Sequence, residues 1–467
     1  MNKLIKISLV AALPVLWAAG CSDFLKGGML TNNPNNATQG SASMTQLFIP
    51  IQANMFAQQN SEVAWSIAQW MQSMYGAQRQ QIGIYNYSSI NNQAWDGDWN
   101  TVYNGGGLID IVQLGSQATT AGDNRFLGIA QIMEAWMMGT AADQWGSMPY
   151  TQALNYTLYP TPQLDPQQAI YDSVISKLNQ GIANLQLAGG GPGTSDLVYG
   201  GDTAKWEHLA HTLKARFFLH QAAMLGAAMY DSALANAQAG ITSGANDYTA
   251  WFQTGVQFSS NNWWQFMNQQ GGTGRAGDMI TGDTTKIWKL MKAYADPRFS
   301  FYFDSTNSSA GFMSNSRQAD GYRQPLVTYI ETLLIEAEAN LHKTVPNNGA
   351  ALTALQAAEA SWGTANIWHP AITVNIFASA SDSTVMTEKY ISLFQNVEVW
   401  NDWKRMCWPR LTKVASVAAV GNTIPSRLFD GSTEQSTNPN IPAPGTDPNG
   451  AFNWNDKWQG CTVAGHP

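Results

Sequence analysis

The amino-acid sequence predicts a mainly α-helical protein: a scaffold of helical hairpins with long irregular loop insertions and minor short strands. Apolar residues recur every three or four positions over most of the chain, which places them on one face of a helix. No segment shows the sustained alternation of apolar and polar residues that indicates a half-buried strand. The helical pattern covers these approximate windows: 43–75, 92–118, 122–142, 166–187, 203–226, 229–239, 284–294, 324–343, 349–361 and 386–405.

The helical pattern is clearest in window 203–226, with comparable apolar stripes in 324–343 and 386–405. Several windows follow one another with short connections. Tetratricopeptide-like helical-hairpin repeats are built in this way, because each pair buries its apolar face against the next pair. The consensus of those repeats is not present, so this pairing rests on periodicity. Aromatic clusters at 85–87 and 299–303 are expected to form short strands.

The composition separates this chain from several classes of protein. Charged residues make up 12% of its 467 residues, against roughly 25% in a typical soluble domain, and the net charge is −8. A pI near 5.2 argues against a nucleic-acid partner, which would need clustered lysine and arginine. A hydrophobic fraction of 44% excludes disorder driven by charge. The 19 tryptophans suit either a large core or neutral, ring-shaped ligands such as sugars.

The N-terminus predicts export and lipidation. Residues 1–20 combine Lys3 and Lys6 with a short apolar stretch, which is typical of a signal peptide. The run Ala18-Ala19-Gly20-Cys21 is similar to a bacterial lipobox, so we expect cleavage before Cys21 and lipidation of that residue. The alternative is an ordinary signal peptide followed by an incidental cysteine. Residues 21–42 then form a polar tether.

The rest of the chain, 43–467, is predicted to be a single helical domain. Its long polar segments at 241–283, 304–323 and 411–467 are expected to carry function or to wrap the surface, since structureless connections of this length usually do. Two cysteines remain after lipidation, Cys407 and Cys461. They could pair in an oxidising compartment, but Cys407 falls in a predicted helix and is more simply a small buried residue.

Seven segments, in order along the chain, carry a family resemblance. They are Asn33-Pro34-Asn35-Asn36, Trp145-Gly146-Ser147-Met148-Pro149-Tyr150, 196–202 with Lys205-Trp206, Asp296-Pro297-Arg298, 323–339 with Glu336-Ala337-Glu338-Ala339, Trp400-Asn401-Asp402-Trp403-Lys404-Arg405, and Ile424-Pro425-Ser426-Arg427. Together they resemble the SusD/RagB family of outer-membrane lipoproteins. The chain is short for that family and its C-terminal tail is divergent.

The resemblance implies a lipid-anchored protein on the surface of the outer membrane that works with a SusC-like TonB-dependent transporter barrel. The shared motifs themselves look structural. Pro297 and Asp296 suit a turn from which Arg298 can pair with a buried carboxylate. Glu336 and Glu338 lie two positions apart on a predicted helix, so they do not share a face as a catalytic pair would.

Other motifs are better explained by chance or packing. The glycine pattern at 272–277 lacks the strand and helix of a dinucleotide site. Asp96, Asp98 and Asn100 have the first spacings of a calcium loop, but Thr101 stands where glycine is needed. An irregular Ca²⁺ site there is the one cofactor alternative, and otherwise we expect no metal or cofactor. His208 and His211 lack a third ligand pattern nearby, which favours packing or surface roles.

Two aromatic, amide-rich segments are the candidate ligand site. Aromatic rings can cover the apolar faces of a sugar while amide, acid and arginine groups bind its hydroxyls. The alternative for the tryptophans is core packing. The candidate residues are Arg79, Tyr85, Tyr87, Trp95, Asp98, Asn262, Trp263, Trp264 and Arg275.

The sequence therefore favours a non-catalytic surface lipoprotein that binds a nutrient oligosaccharide, with a peptide as the second choice of ligand, and passes it to a transporter. Two other functions remain open from the sequence. One is a surface-tethered glycoside hydrolase, although acidic residues are few. The other is a helical adaptor that shapes the transporter without binding a ligand.

Overall fold

A computed structural model describes residues 42–256, 259–269, 275, 277–306, 312–415, 423–442 and 452–465. The predicted signal peptide, the lipidation site Cys21 and nearly all of the tether lie outside these residues. So does most of the 272–277 glycine pattern.

The structure confirms the mainly helical fold. In the first half of the chain the helices are α1 Met44–Gln58, α2 Glu62–Trp70, α3 Arg79–Tyr85, α4 Asp96–Tyr103, α5 Leu108–Ala121, α6 Asn124–Trp145, α7 Gln167–Leu185, α8 Thr203–Leu225 and α9 Ala227–Ala237. In the second half they are α10 Asn262–Trp264, α11 Lys286–Ala293, α12 Phe299–Tyr302, α13 Tyr329–His342, α14 Asn348–Ser361, α15 Asp382–Ser392, α16 Glu398–Met406 and α17 Ser432–Thr437.

Consecutive helices pack as hairpins, most extensively α6 with α7, α8 with α9, and α13 with α14. Local sequence signals set where they begin and end. Ser43 and Gln46 form a capping box at the start of α1, and the Asp202 carboxylate accepts hydrogen bonds from the first backbone N–H groups of α8. Gly226, with φ of 84°, ends α8 and leads directly into α9.

Several predicted windows divide where polar residues interrupt them. Window 43–75 becomes α1 and α2, separated at Asn60 and Ser61, which favour turns and helix starts. Window 386–405 becomes α15 and α16, with Gln395 between them at a φ of 68°. Window 324–343 begins as a strand, and its helix starts only after Thr328, whose side chain caps α13.

In the described part of the chain, four short strands form two antiparallel pairs: β1 Tyr75–Gly76 with β3 Met279–Ile280, and β2 Tyr248–Ala250 with β4 Gln324–Val327. The expected strands at 85–87 and 299–303 do not form, apart from an isolated antiparallel bridge between Phe303 and Met313. Tyr85 ends α3, and residues 299–302 form the single turn α12. Aromatic content alone therefore misled the assignment, because these rings pack in the core from helical backbone as well as from strands.

The family motifs form buried ion clusters. Arg298 lies against Asp296 of its own turn and donates through Nη2 to Glu388 Oε2 at 2.8 Å, as the sequence predicted for a buried carboxylate. Glu338 is buried between Arg405 and Lys389, whereas Glu336 on the neighbouring face is half-buried. These groups hold helices together, since removing one partner of a buried ion pair leaves the other charge uncompensated.

The C-terminal segment folds back into the body instead of only wrapping its surface. Cys407 and Cys461 form a disulfide, so the interpretation of Cys407 as merely a small buried residue was incomplete. Cys407 follows the last residue of α16, where a left-handed backbone with φ of 50° turns the chain away from the helix. Asn453 is buried and donates to the backbone oxygen of Asp143 at 2.8 Å.

Candidate functional site

The two candidate segments meet around a single buried carboxylate, Asp278. Arg79 Nη1, from the start of α3, lies 3.2 Å from Asp278 Oδ2, and Arg275 Nε lies 3.7 Å from the same oxygen. The backbone oxygen of Asp278 also accepts a hydrogen bond from the N–H of Ala77. Pairing of β1 with β3 produces this arrangement, since Gly76 lies opposite Met279. Half of the Arg79 side chain remains exposed to solvent.

A cavity of about 260 Å³ lies beside these strands, and we call it the Tyr75 cavity. Three aromatic rings line it, those of Tyr75, Trp288 and Phe312. Its polar lining includes Thr281, Asp283 and Thr284. The ring of Tyr75 also packs against that of Tyr85, with centroids 6.0 Å apart, which connects the cavity to the first candidate segment.

The phenol of Tyr75 at this cavity and that of the neighbouring Tyr85 are hydrogen-bond donors at neutral pH. Burial raises the pKa of Tyr75, and the charge of Asp283 raises it further. Burial also raises the pKa of Tyr85, with a smaller contribution from Tyr75. The cavity therefore combines apolar ring surface, a phenol donor and a carboxylate acceptor, which is the set of groups that can bind a neutral polyhydroxylated ligand.

Three of the candidate aromatic residues are buried in the core, which contradicts their predicted contact with a ligand. Tyr87, Trp95 and Trp263 have exposed fractions of 1%, 3% and 0%. Trp95 packs edge-to-face on Trp70 at 5.5 Å, and Trp263 packs similarly on Trp65 at 6.3 Å. These rings pack in the core, because burying their large apolar surface stabilises the fold more than burying a small side chain would.

The remaining candidates lie at the surface or beside it. Asn262, Trp264 and Arg275 are half-buried, and Trp264 keeps part of its surface exposed while Trp263 does not. The side chain of Asn261, just before α10, caps this short helix by accepting hydrogen bonds from the backbone N–H groups of both tryptophans.

Asp98 has a separate environment from the two arginines. It lies on α4, where burial and, to a smaller extent, the charge of nearby Glu62 raise the pKa of its carboxyl to about 7. Asp96 begins the same helix, and its Oδ1 accepts a hydrogen bond from the N–H of Ser432 at 2.6 Å. The calcium-like spacing of Asp96 and Asp98 is thus carried by a helix rather than by a loop.

Among the residues that the structure describes, one buried cluster brings together residue types that can bind a metal: Asp143, His220 and Glu398. His220 Nδ1 lies 2.9 Å from Asp143 Oδ1, and its Nε2 lies 2.9 Å from Glu398 Oε2. Burial opposes the charged ring, but the two carboxylates outweigh it and raise the pKa of His220 to about 9. A protonated imidazole offers no lone pair to a metal, so in this charge state the three groups form an ion cluster.

Comparison with known proteins identifies the family. The SusD-like_2 family, described as "Starch-binding associating with outer membrane", matches residues 34–429. The chain belongs to this family. The expected resemblance is thereby confirmed. A comparison with curated proteins gives no significant match.

Solved structures share the fold of this SusD-like protein at low sequence identity. A SusD homolog from Bacteroides fragilis NCTC 9343 has a TM-score of 0.69 at 15% identity, covering 89% of this chain and 99% of its own. A SusD/RagB family protein from Bacteroides thetaiotaomicron VPI-5482 has a TM-score of 0.66 at 18% identity, covering 85% of this chain and 95% of its own. A chitin-binding SusD homolog from Flavobacterium johnsoniae has a TM-score of 0.64 at 17% identity, covering 88% of this chain and 98% of its own.

Sequence reasoning missed part of the candidate site. Tyr75 precedes the first candidate segment, and Trp288 falls in window 284–294, which predicts a helix but no ligand contact. No local signal marks either residue as a cavity wall, because the wall exists only once β1 pairs with β3. Among the described residues, no helix has both the length and the apolar character needed to span a bilayer.

Proposed function

We propose that this SusD-like protein binds a nutrient oligosaccharide at the Tyr75 cavity and delivers it to a SusC-like TonB-dependent transporter. A lipid on Cys21 would hold the protein on the outer face of the outer membrane. Binding would proceed without catalysis, metal or cofactor, through ring contacts and hydrogen bonds.

The observation that supports this proposal is the combination of groups at the Tyr75 cavity. Tyr75, Trp288 and Phe312 offer apolar surface, while Asp283 and Thr284 are exposed polar groups beside them. Arg79, Arg275 and the exposed surface of Trp264 remain predicted contacts for a ligand longer than the cavity. The family description, which names starch binding and the outer membrane, agrees with a glycan ligand.

Chito-oligosaccharides are the first ligands to test, because two of the similar solved proteins are named as chitin-binding. Maltooligosaccharides are the second, following the family description. Titration calorimetry of the purified full chain with both series would measure affinity directly. We expect one series to bind and its affinity to increase with chain length until the exposed surface is covered.

The variant Tyr75→Ala tests the site. A sugar face that covers roughly 50–80 Å² of ring surface contributes about 1–2 kcal/mol at 25 cal/mol/Å². We therefore expect affinity to fall by roughly 5- to 30-fold. Tyr156→Ala is the matched control, since this tyrosine is 81% exposed and does not line the cavity. Equal binding by the wild type and Tyr75→Ala would refute this site.

The same preparations distinguish the two alternative functions. A tethered glycoside hydrolase would release shorter sugars during incubation, and the carboxyl of Asp98, with Glu62 nearby, would be the first group to replace. We expect no release. A pure adaptor would co-purify with a transporter barrel but bind no glycan, and that result would contradict the proposed function while leaving the family assignment intact.

A further inference from the structure

A second and larger cavity lies between the helical hairpins, away from the Tyr75 cavity. It has a volume of about 430 Å³, and we call it the Arg323 cavity. Its walls come from the start of α8, the segment before β2, the start of α13 and the segment after α14. None of its lining residues also lines the Tyr75 cavity.

Two cations line this cavity without an acidic partner. Arg323 Nε donates to the hydroxyl of Thr249 at 3.2 Å, and Lys205 Nζ lies 5.8 Å from the ring centroid of Tyr199. Within the described part of the chain, neither side chain forms a salt bridge. Burial lowers the pKa of Arg323, which is the direction expected for a cation that has lost water without gaining a carboxylate.

The one acid in the wall, Asp247, is already satisfied by neutral donors. Its Oδ1 accepts from the N–H of Tyr329 at 2.7 Å, and its Oδ2 accepts from Trp368 Nε1 at 2.7 Å and Asn366 Nδ2 at 3.3 Å. Burial raises the pKa of Asp247 to about 7, despite the opposing hydrogen bond from Trp368. The two cations therefore leave the cavity with a net positive charge at neutral pH.

We propose that the Arg323 cavity binds the carboxylate of a small polar ligand, with Arg323 and Lys205 as its charge partners. The volume lies within the roughly 300–1,000 Å³ of small-molecule sites. The side chains of Tyr329 and Asn366 line the same space and can bind the ligand's neutral groups. An acidic sugar such as a uronate and the terminal carboxylate of a short peptide share this chemistry. The proposal is independent of glycan binding at the Tyr75 cavity.

Pairs of ligands that differ only in charge test whether the Arg323 cavity binds a carboxylate. Titration calorimetry of the full chain would compare glucuronate with its methyl ester, and glycylglycine with glycylglycinamide. We expect the charged member of at least one pair to bind at least tenfold more tightly than its neutral counterpart, and the pair that responds identifies the source of the carboxylate. Equal or absent binding of all four ligands would overturn the proposal.

Variants assign the effect to this cavity. Arg323→Gln is expected to weaken carboxylate binding by at least tenfold, Arg323→Lys by less, and Lys205→Gln to weaken it independently. Arg125→Gln is the control, because Arg125 is exposed on α6 and outside the cavity. Circular dichroism would check that each variant is folded. Unchanged carboxylate binding in both Arg323→Gln and Lys205→Gln would overturn the site, and unchanged chito-oligosaccharide binding would show that the two cavities act separately.

Discussion

Replacement of His220 by glutamine should remove a pH-dependent part of the stability of this protein. The imidazole is fully buried between the carboxylates of Asp143 and Glu398. Arg216 forms ion pairs with both Glu398 and Glu331 beside this ring. Glutamine is similar in size and can donate a hydrogen bond, but it cannot supply the positive charge that compensates these two buried carboxylates.

The magnitude follows from the pKa shift. His220 has a pKa of about 9 in the folded protein and 6.5 without perturbation. At about 1.4 kcal/mol for each unit, the charged ring contributes about 3 kcal/mol. Because the folded-state pKa lies above the unfolded value, this contribution is complete below about pH 6.5. It is lost as the pH rises through about 9.

Urea denaturation at pH 6 and at pH 9.5 measures the effect. We expect the free energy of unfolding of the wild type to exceed that of His220→Gln by about 3 kcal/mol at pH 6, and by much less at pH 9.5. His211→Gln is the control, since this half-buried histidine lies near Asn236 and has no such carboxylate pair. A difference between wild type and His220→Gln that is constant with pH would refute the idea that the ring is protonated in the folded state.

Three further predictions concern stability, each measured by thermal or urea unfolding. Trp263→Ala should cost about 3–5 kcal/mol and Trp264→Ala clearly less, because only the first ring is fully buried; equal losses would contradict this. Replacing Cys407 and Cys461 with serine should cost about 4 kcal/mol, from a closed loop spanning 54 residues, and reductant should destabilise only the wild type. Gly139→Ala should destabilise by about 1–3 kcal/mol, since its new methyl group would lie 2.3 Å from the ring of Phe217; an unchanged melting temperature would contradict that clash.

The candidate site was only partly predictable from the sequence. The sequence identified the segments containing Arg79 and Arg275, which the structure places on one carboxylate, Asp278. It could not separate Trp263 from Trp264, because adjacent residues on one short helix have the same composition around them. Trp263 packs on Trp65 in the core, and this contact joins residues far apart in the chain.

The sequence by itself determined the helical architecture and the family, because both depend on local periodicity and on short motifs that remain readable in one dimension. It also predicted that Arg298 can pair with a buried carboxylate. Tertiary structure alone decided which acid that was, Glu388, and which rings line the Tyr75 cavity. Those contacts join residues far apart in the chain, and packing of the whole fold, rather than any local preference, brings them within reach of one another.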